Sequence, residues 1–137
     1  MRVLGLALVS LVLATPAIAA APIKAKLTTS TPTPVVDQPW RFTLTVKSAT
    51  GVLLAARVKL QLLLGATVVG CWKGGAMLQC FGQTAGDWVS FKGKRSGVLR
   101  FPAQSLGDKL TFQAIVKVGR QTRRLRAPVT VRLAPSS

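Results

Sequence analysis

The chain of 137 residues contains no His, no Tyr, no Glu and no Asn. Its only acids are Asp37, Asp87 and Asp108. General acid-base catalysis, metal ligation and nucleophile activation draw mostly on the missing types. The absences therefore argue against an enzyme and against a resident metal, and no cofactor is expected. No apolar run is long enough to span a bilayer comfortably, since a crossing helix needs about 20 residues. Against the three acids stand 19 Lys and Arg, a formal net charge of +16. Such a charge attracts phosphate, carboxylate and sulfate polymers without choosing among them.

The first residues read as a secretory signal spanning 1–20. Arg2 is a minimal positive start, and Val3 to Ala14 carries no charge. Pro16 ends that stretch, and Ala17-Ile18-Ala19 supplies the small-x-small pattern of a cleavage site. Cleavage after Ala19 or Ala20 is expected, and a retained N-terminal anchor is the alternative. The remainder, 21–137, suits one domain with a hydrophobic core. Without Arg2 its net charge is +15, one below that of the whole chain. The expected location is outside the cytoplasm, either secreted or held in a periplasm or cell wall, with no membrane span in the mature chain.

That remainder has the period of β-strands. Trp40, Phe42, Leu44 and Val46 alternate with Arg41, Thr43, Thr45 and Lys47. Val58, Leu60, Leu62 and Leu64 alternate with Arg57, Lys59, Gln61 and Leu63. Two further sets run from Leu110 to Val118 and from Leu125 to Leu133. Strict alternation places one face against a core and the other in water, as in an antiparallel sandwich. Turn signals separate the runs at Thr50-Gly51, Gly65, Gly74-Gly75, Gly93 to Gly97, Gly107-Asp108 and Gly119-Arg120. Pro32, Pro34 and Pro39 make 21–39 an extended, Pro-rich lead-in. The final hairpin has a testable register. With Gly119 first in a type II′ turn, Ala114 faces Leu125, Phe112 faces Ala127 and Leu110 faces Val129. Ile115 then faces Arg124 and Gln113 faces Arg126, so both strands agree in phase.

About seven short strands in roughly a hundred residues indicate an all-β, immunoglobulin-like antiparallel β-sandwich. The stretch from Pro34 to Phe42 resembles the opening of secreted bacterial immunoglobulin-like domains. So do Val46 to Gly51, Ala56 to Leu60, Gly97 to Ala103 and Gly107 to Ala114. The resemblance covers roughly 34–133 and lies in strand-and-turn patterns, so it implies a fold and no particular activity.

Three sets of residues are candidates for function. Cys71 and Cys80 form an even pair in an exported chain, which favours a structural disulfide over two free thiols. If they face each other directly across a hairpin, its turn centres between Gly75 and Ala76. The closed loop contributes about 2.7 kcal/mol in the chain-entropy model. The run Lys92-Gly93-Lys94-Arg95-Ser96-Gly97 reads as a basic, Gly-bounded turn, either an anion-binding loop or a solvated hairpin tip. Arg57, Lys59, Lys117, Arg124, Arg126 and Arg132 fall on outward positions and are expected to share one solvent-facing sheet surface. That surface is either an anion-binding face or a solubilising one. Trp72, Phe81 and Trp88 surround the cysteines and are read as core anchors rather than exposed stacking platforms. The expected role is a non-enzymatic interaction or structural module of the cell envelope, whose partners are anionic envelope polymers or another envelope protein. The rival expectation is a released binder of nucleic acid or acidic polysaccharide.

Overall fold

In the structure, a computed structural model, residues 22–135 are described. The expected signal and its cleavage site lie outside them. Nine strands carry the alternating segments: β1 (Ile23–Thr29), β2 (Trp40–Ser48), β3 (Ala55–Leu64), β4 (Thr67–Lys73), β5 (Ala76–Gln79), β6 (Val89–Lys92), β7 (Lys94–Leu99), β8 (Lys109–Val118) and β9 (Gln121–Thr130). A three-residue 3-10 turn at Ala103–Ser105 is the one helical element among the described residues. The strands form two antiparallel sheets. The smaller has the order β1-β2-β7. The larger has the order β5-β4-β3-β8-β9, with β6 pairing the start of β3 beside β4. The architecture is an all-β sandwich.

The core lies between the sheets because period-two segments turn their apolar residues to a common side. Trp40, Phe42, Leu44 and Val46 of β2 meet Val58, Leu60, Phe112, Ala114, Val116 and Val129 of the large sheet, all buried. Edge-on aromatic packing centres this layer, with Trp40 5.4 Å from Phe101 and 5.2 Å from Phe112, centroid to centroid. The Trp40 indole N–H is satisfied by the Thr31 carbonyl at 2.7 Å, which ties the Pro-rich segment to the core. Gly97 faces Phe42 across β2 and β7. A Cβ there would stand 2.5 Å from the ring, so only glycine fits under Phe42.

The final hairpin has the register read from the sequence. Ala114 faces Leu125, Phe112 faces Ala127, Gln113 faces Arg126 and Ile115 faces Arg124. The end of β3 departs from simple alternation. Leu63 is buried and Leu64 is 48% exposed, next to a register shift against β4.

Gly93 does not make a turn. Strand β6 belongs to the large sheet and β7 to the small one, and Gly93 is the single residue between them. The Gly93 amide donates to the Leu54 carbonyl at 2.8 Å, and its carbonyl accepts from Val46 N–H at 2.7 Å. It is buried, with φ +72°, and a Cβ would lie 2.7 Å from Leu53. The expected basic turn at 92–97 is thus a strand crossing at Gly93 from one sheet to the other, with 94–97 inside β7.

Candidate anion-binding face and its strap

The outer face of the large sheet is built from side chains in register across β3, β8 and β9. Arg57 faces Lys117, and Lys117 faces Thr122. One step along, Lys59, Ile115 and Arg124 form the next row, and Gln61, Gln113 and Arg126 the one after. Five of the six expected cations therefore share this face. Rows two residues apart are about 7 Å from each other and strands about 4.8 Å, so the five form a diagonal band roughly 17 Å long. Lys92, in register with Ala55 beside Arg57, extends it at the β6 edge.

Arg132 is the exception. Strand β9 ends at Thr130, and the chain then makes a parallel bridge between Arg132 and Val35. The Arg132 guanidinium donates from Nε to the Thr33 carbonyl at 3.1 Å, so it serves the Pro-rich segment rather than the band. The crossing at Gly93 divides the other expected cluster. Lys92 stays with the large sheet, Lys94 is exposed opposite Thr45 on the small one, and Arg95 is half-buried opposite Leu44.

The face is not uniformly open, because residues 80–88 lie across it as a strap. Three side chains of β3 and the strap hold it down. Lys59 Nζ donates to the Thr84 carbonyl at 2.6 Å. Gln61 Nε2 donates to the carbonyls of Gln83 and Ala85 at 3.0 and 2.8 Å. Gln83 Nε2 in turn donates to the Ala66 carbonyl at 3.1 Å. Gly86 passes so near the sheet that a Cβ would stand 3.3 Å from Lys59 Cγ and from Cys71 Cβ. The result is a polar chain under cover. Arg126 Nε donates to Gln113 Oε1 at 2.8 Å, and Gln113 Nε2 donates to Gln61 Oε1 at 3.0 Å. Gln61 and Gln113 are buried at 1% and 2% exposure, and Lys59 at 8%. Lys59 was expected in solvent; the strap places it beneath protein instead. Between the strap and β9 a cavity of about 360 Å³ is lined in part by Gln83, Gln113, Arg124 and Arg126.

The disulfide anchors the strap. Cys71 and Cys80 are bonded, with Cα atoms 5.9 Å apart. The turn, however, sits on Gly74 and Gly75, both with positive φ, and Cys71 faces Leu78. Two consecutive left-handed positions suit a tight hairpin turn, which is why the glycines take it. The bridge therefore runs diagonally, with Cys80 N–H bonded to the Val69 carbonyl. Asp87 closes the other end, its amide donating to the Trp72 carbonyl and its Oδ2 accepting from Gly74 N–H.

Trp88, at the end of the strap, is not a core residue. Lys117 Nζ lies 4.6 Å from its ring centroid, Lys59 Nζ 4.9 Å and Arg57 Cζ 5.7 Å. Phe81 is 68% exposed, and of the three aromatics only Trp72 packs against the core. Nothing in the spacing of Trp88 distinguished it from a core anchor, because its position follows from the fold-back of the strap.

The opposite sheet also carries charge. Lys24 faces Lys47, and Thr45 faces both Lys26 and Lys94, all four lysines being exposed. No ion pair joins any of these cations to Asp37, Asp87 or Asp108 among the described residues. Together these features define a two-sheet β-sandwich with a strapped, cationic outer face.

No family model matches the chain. No curated protein matches it either. Among solved structures, the crystal structure of Spo0M, a sporulation control protein from Bacillus subtilis, aligns with a TM-score of 0.47 at 9% identity. The alignment covers 85% of this chain and 51% of that one, so this chain spans about half the length of that protein.

Proposed function

We propose that this chain is a secreted, non-enzymatic immunoglobulin-like module that adheres to anionic polymer of the cell envelope through the outer face of its large sheet. The observation that carries the reading is the diagonal band of Arg57, Lys117, Arg124 and Arg126, beside the strap-covered Lys59, which no acid neutralises among the described residues. Its cations stand on paired β-strands, so their spacing is held by backbone hydrogen bonds rather than by flexible loops. A disulfide agrees with life outside the cytosol.

Charge-dependent adhesion has a definite signature. If about four contacts release counterions, affinity for a nucleic-acid-like polymer falls by about two orders of magnitude between about 50 and 200 mM salt. Arg124→Glu with Arg126→Glu weakens binding far more than Lys24→Glu with Lys26→Glu on the other sheet. Equal losses from the two pairs would show that net charge alone is at work and would end the proposal of a dedicated face.

One observation favours the rival reading, a released binder of nucleic acid or acidic polysaccharide. Lys24, Lys26, Lys47 and Lys94 give the opposite sheet a second basic patch. A flexible polymer that wraps the domain would use both. Cell fractionation separates the readings: an envelope module is found with the wall and released by salt, whereas a released binder is found free in the medium.

A further inference from the structure

We infer that Arg57, Lys59 and Lys117, gathered round Trp88, form a discrete subsite for one tetrahedral oxyanion, a phosphate or sulfate group carried by the polymer. The inference rests on the proposed adhesion and gives it a recognition point.

Three positively charged groups lie within 5.7 Å of one ring centroid. Like charges so close repel, and in most proteins an acid would gather them. Here the nearest acid in sequence, Asp87, turns its carboxylate to Gly74 N–H instead. The indole takes the acid's place. Its negative π-face attracts cations without cancelling their charge, so the cluster keeps its whole positive charge for a ligand. Lys59 strengthens the case. Its side chain is more than nine-tenths buried and its ammonium has one hydrogen-bond acceptor in the structure, the Thr84 carbonyl. An ammonium has three donors, which leaves two for a ligand. A buried cation is costly without a counter-ion, and an oxyanion between the three groups would supply it.

The geometry favours a tetrahedral group over a carboxylate. Two ammoniums and a guanidinium approach from three residues on two strands. A terminal phosphate or a sulfate ester offers three non-bridging oxygens, one to each cation, whereas a carboxylate has only two. Arg57 and Lys117 are directly opposed in the β3–β8 register, so their separation is fixed by the sheet.

The test uses the purified protein with inorganic sulfate and inorganic phosphate as probes, and acetate and chloride as controls at matched ionic strength. Binding is read by the thermal midpoint and by the indole resonances of the three tryptophans. Sulfate and phosphate should raise the midpoint and shift one indole signal, which Trp88→Phe removes. Whichever of the two binds more tightly names the polymer's chemistry. Arg57→Gln and Lys117→Gln should each weaken the oxyanion by about tenfold, the usual value of a charge-assisted hydrogen bond. Arg124→Gln and Arg126→Gln, elsewhere on the band, should leave it within about twofold of wild type. Trp88→Leu should lose the site although all three cations remain, and Trp88→Phe should keep part of it, since phenylalanine retains a π-face. Equal stabilisation by acetate at matched ionic strength would overturn the inference. So would equal losses from the two variant pairs. If small oxyanions fail while polymer binding stays sensitive to salt and to Arg124 and Arg126, this inference falls and the proposed adhesion stands. If polymer binding fails as well, both fall.

Discussion

Replacing Cys71 and Cys80 together by alanine isolates what the diagonal bridge does for the fold. Alanine avoids placing an unpaired hydroxyl at position 71, which is 1% exposed. The bridge spans a sequence separation of 9. Closing so short a loop removes about 2.7 kcal/mol of unfolded-state entropy. A domain of this size shifts its midpoint by about 4 °C per kcal/mol, so the variant melts about 10 °C lower. The strap should nevertheless remain in place. The bonds from Lys59, Gln61 and Gln83 hold it independently of the sulfurs. A typical hydrogen bond contributes about 1 kcal/mol and one to a charged group more, so these four together exceed the bridge. Urea unfolding followed by tryptophan fluorescence reads both quantities. The midpoint falls, while the slope m stays level or rises slightly, because the uncrosslinked unfolded chain exposes more surface. An unchanged midpoint would refute the entropic argument. A clear fall in m would refute the independent hold, since it would mean that the strap is already detached before the domain unfolds.

Two further substitutions probe the packing. Gly97→Ala drives a methyl group into the Phe42 ring, where a Cβ would stand 2.5 Å from two ring carbons; overpacking of this kind costs about 1–3 kcal/mol, and urea titration should show it without a change in the binding of polyanions. Gln61→Leu removes the donor to the Gln83 and Ala85 carbonyls and the acceptor of Gln113; buried polar groups left unpaired cost about 1–3 kcal/mol each, so it should destabilise more than Gln83→Ala, and parity between the two would show that water enters beneath the strap.

The sandwich was legible where local signals agree. In the final hairpin, the turn at Gly119 and the alternation of both strands select one register, and the structure has that register. The same logic put six cations on one face; Arg57, Lys59, Lys117, Arg124 and Arg126 lie there, and Arg132, past the end of β9, does not. It failed where a residue type has two uses. Glycine marks turns more often than crossings, so Gly93 read as a loop tip, although its neighbours are two short strands in different sheets. Gly74-Gly75 made the opposite error possible: direct pairing of the cysteines required a shifted turn, whereas the glycines hold the turn and the bridge goes diagonal. The strap was hidden for a deeper reason. Gln61 and Gln113 occupy outward positions of alternating strands, and a polar residue there looks the same whether water or a folded-back loop covers it. Residues 81–87 have no periodicity of their own, so only the finished sheet defines where they lie. Arg57, Lys59 and Lys117 could be assigned to a face, but their convergence on Trp88 could not.

The crossing at Gly93 also sets how the chain can reach this fold. In the small sheet, β2 needs β7, which follows some fifty positions later, after most of the large sheet has been laid down in sequence. In the large sheet, β3 pairs β8 across a similar distance. Neither sheet can therefore be completed from neighbouring segments, and the strand that finishes one is continuous with the strand that edges the other. Long loops must close before these pairings reward the closure, and topologies of this kind form in milliseconds to seconds rather than microseconds. Until both of these long-range pairings close, neither sheet holds its full set of strands and the core between them stays incomplete.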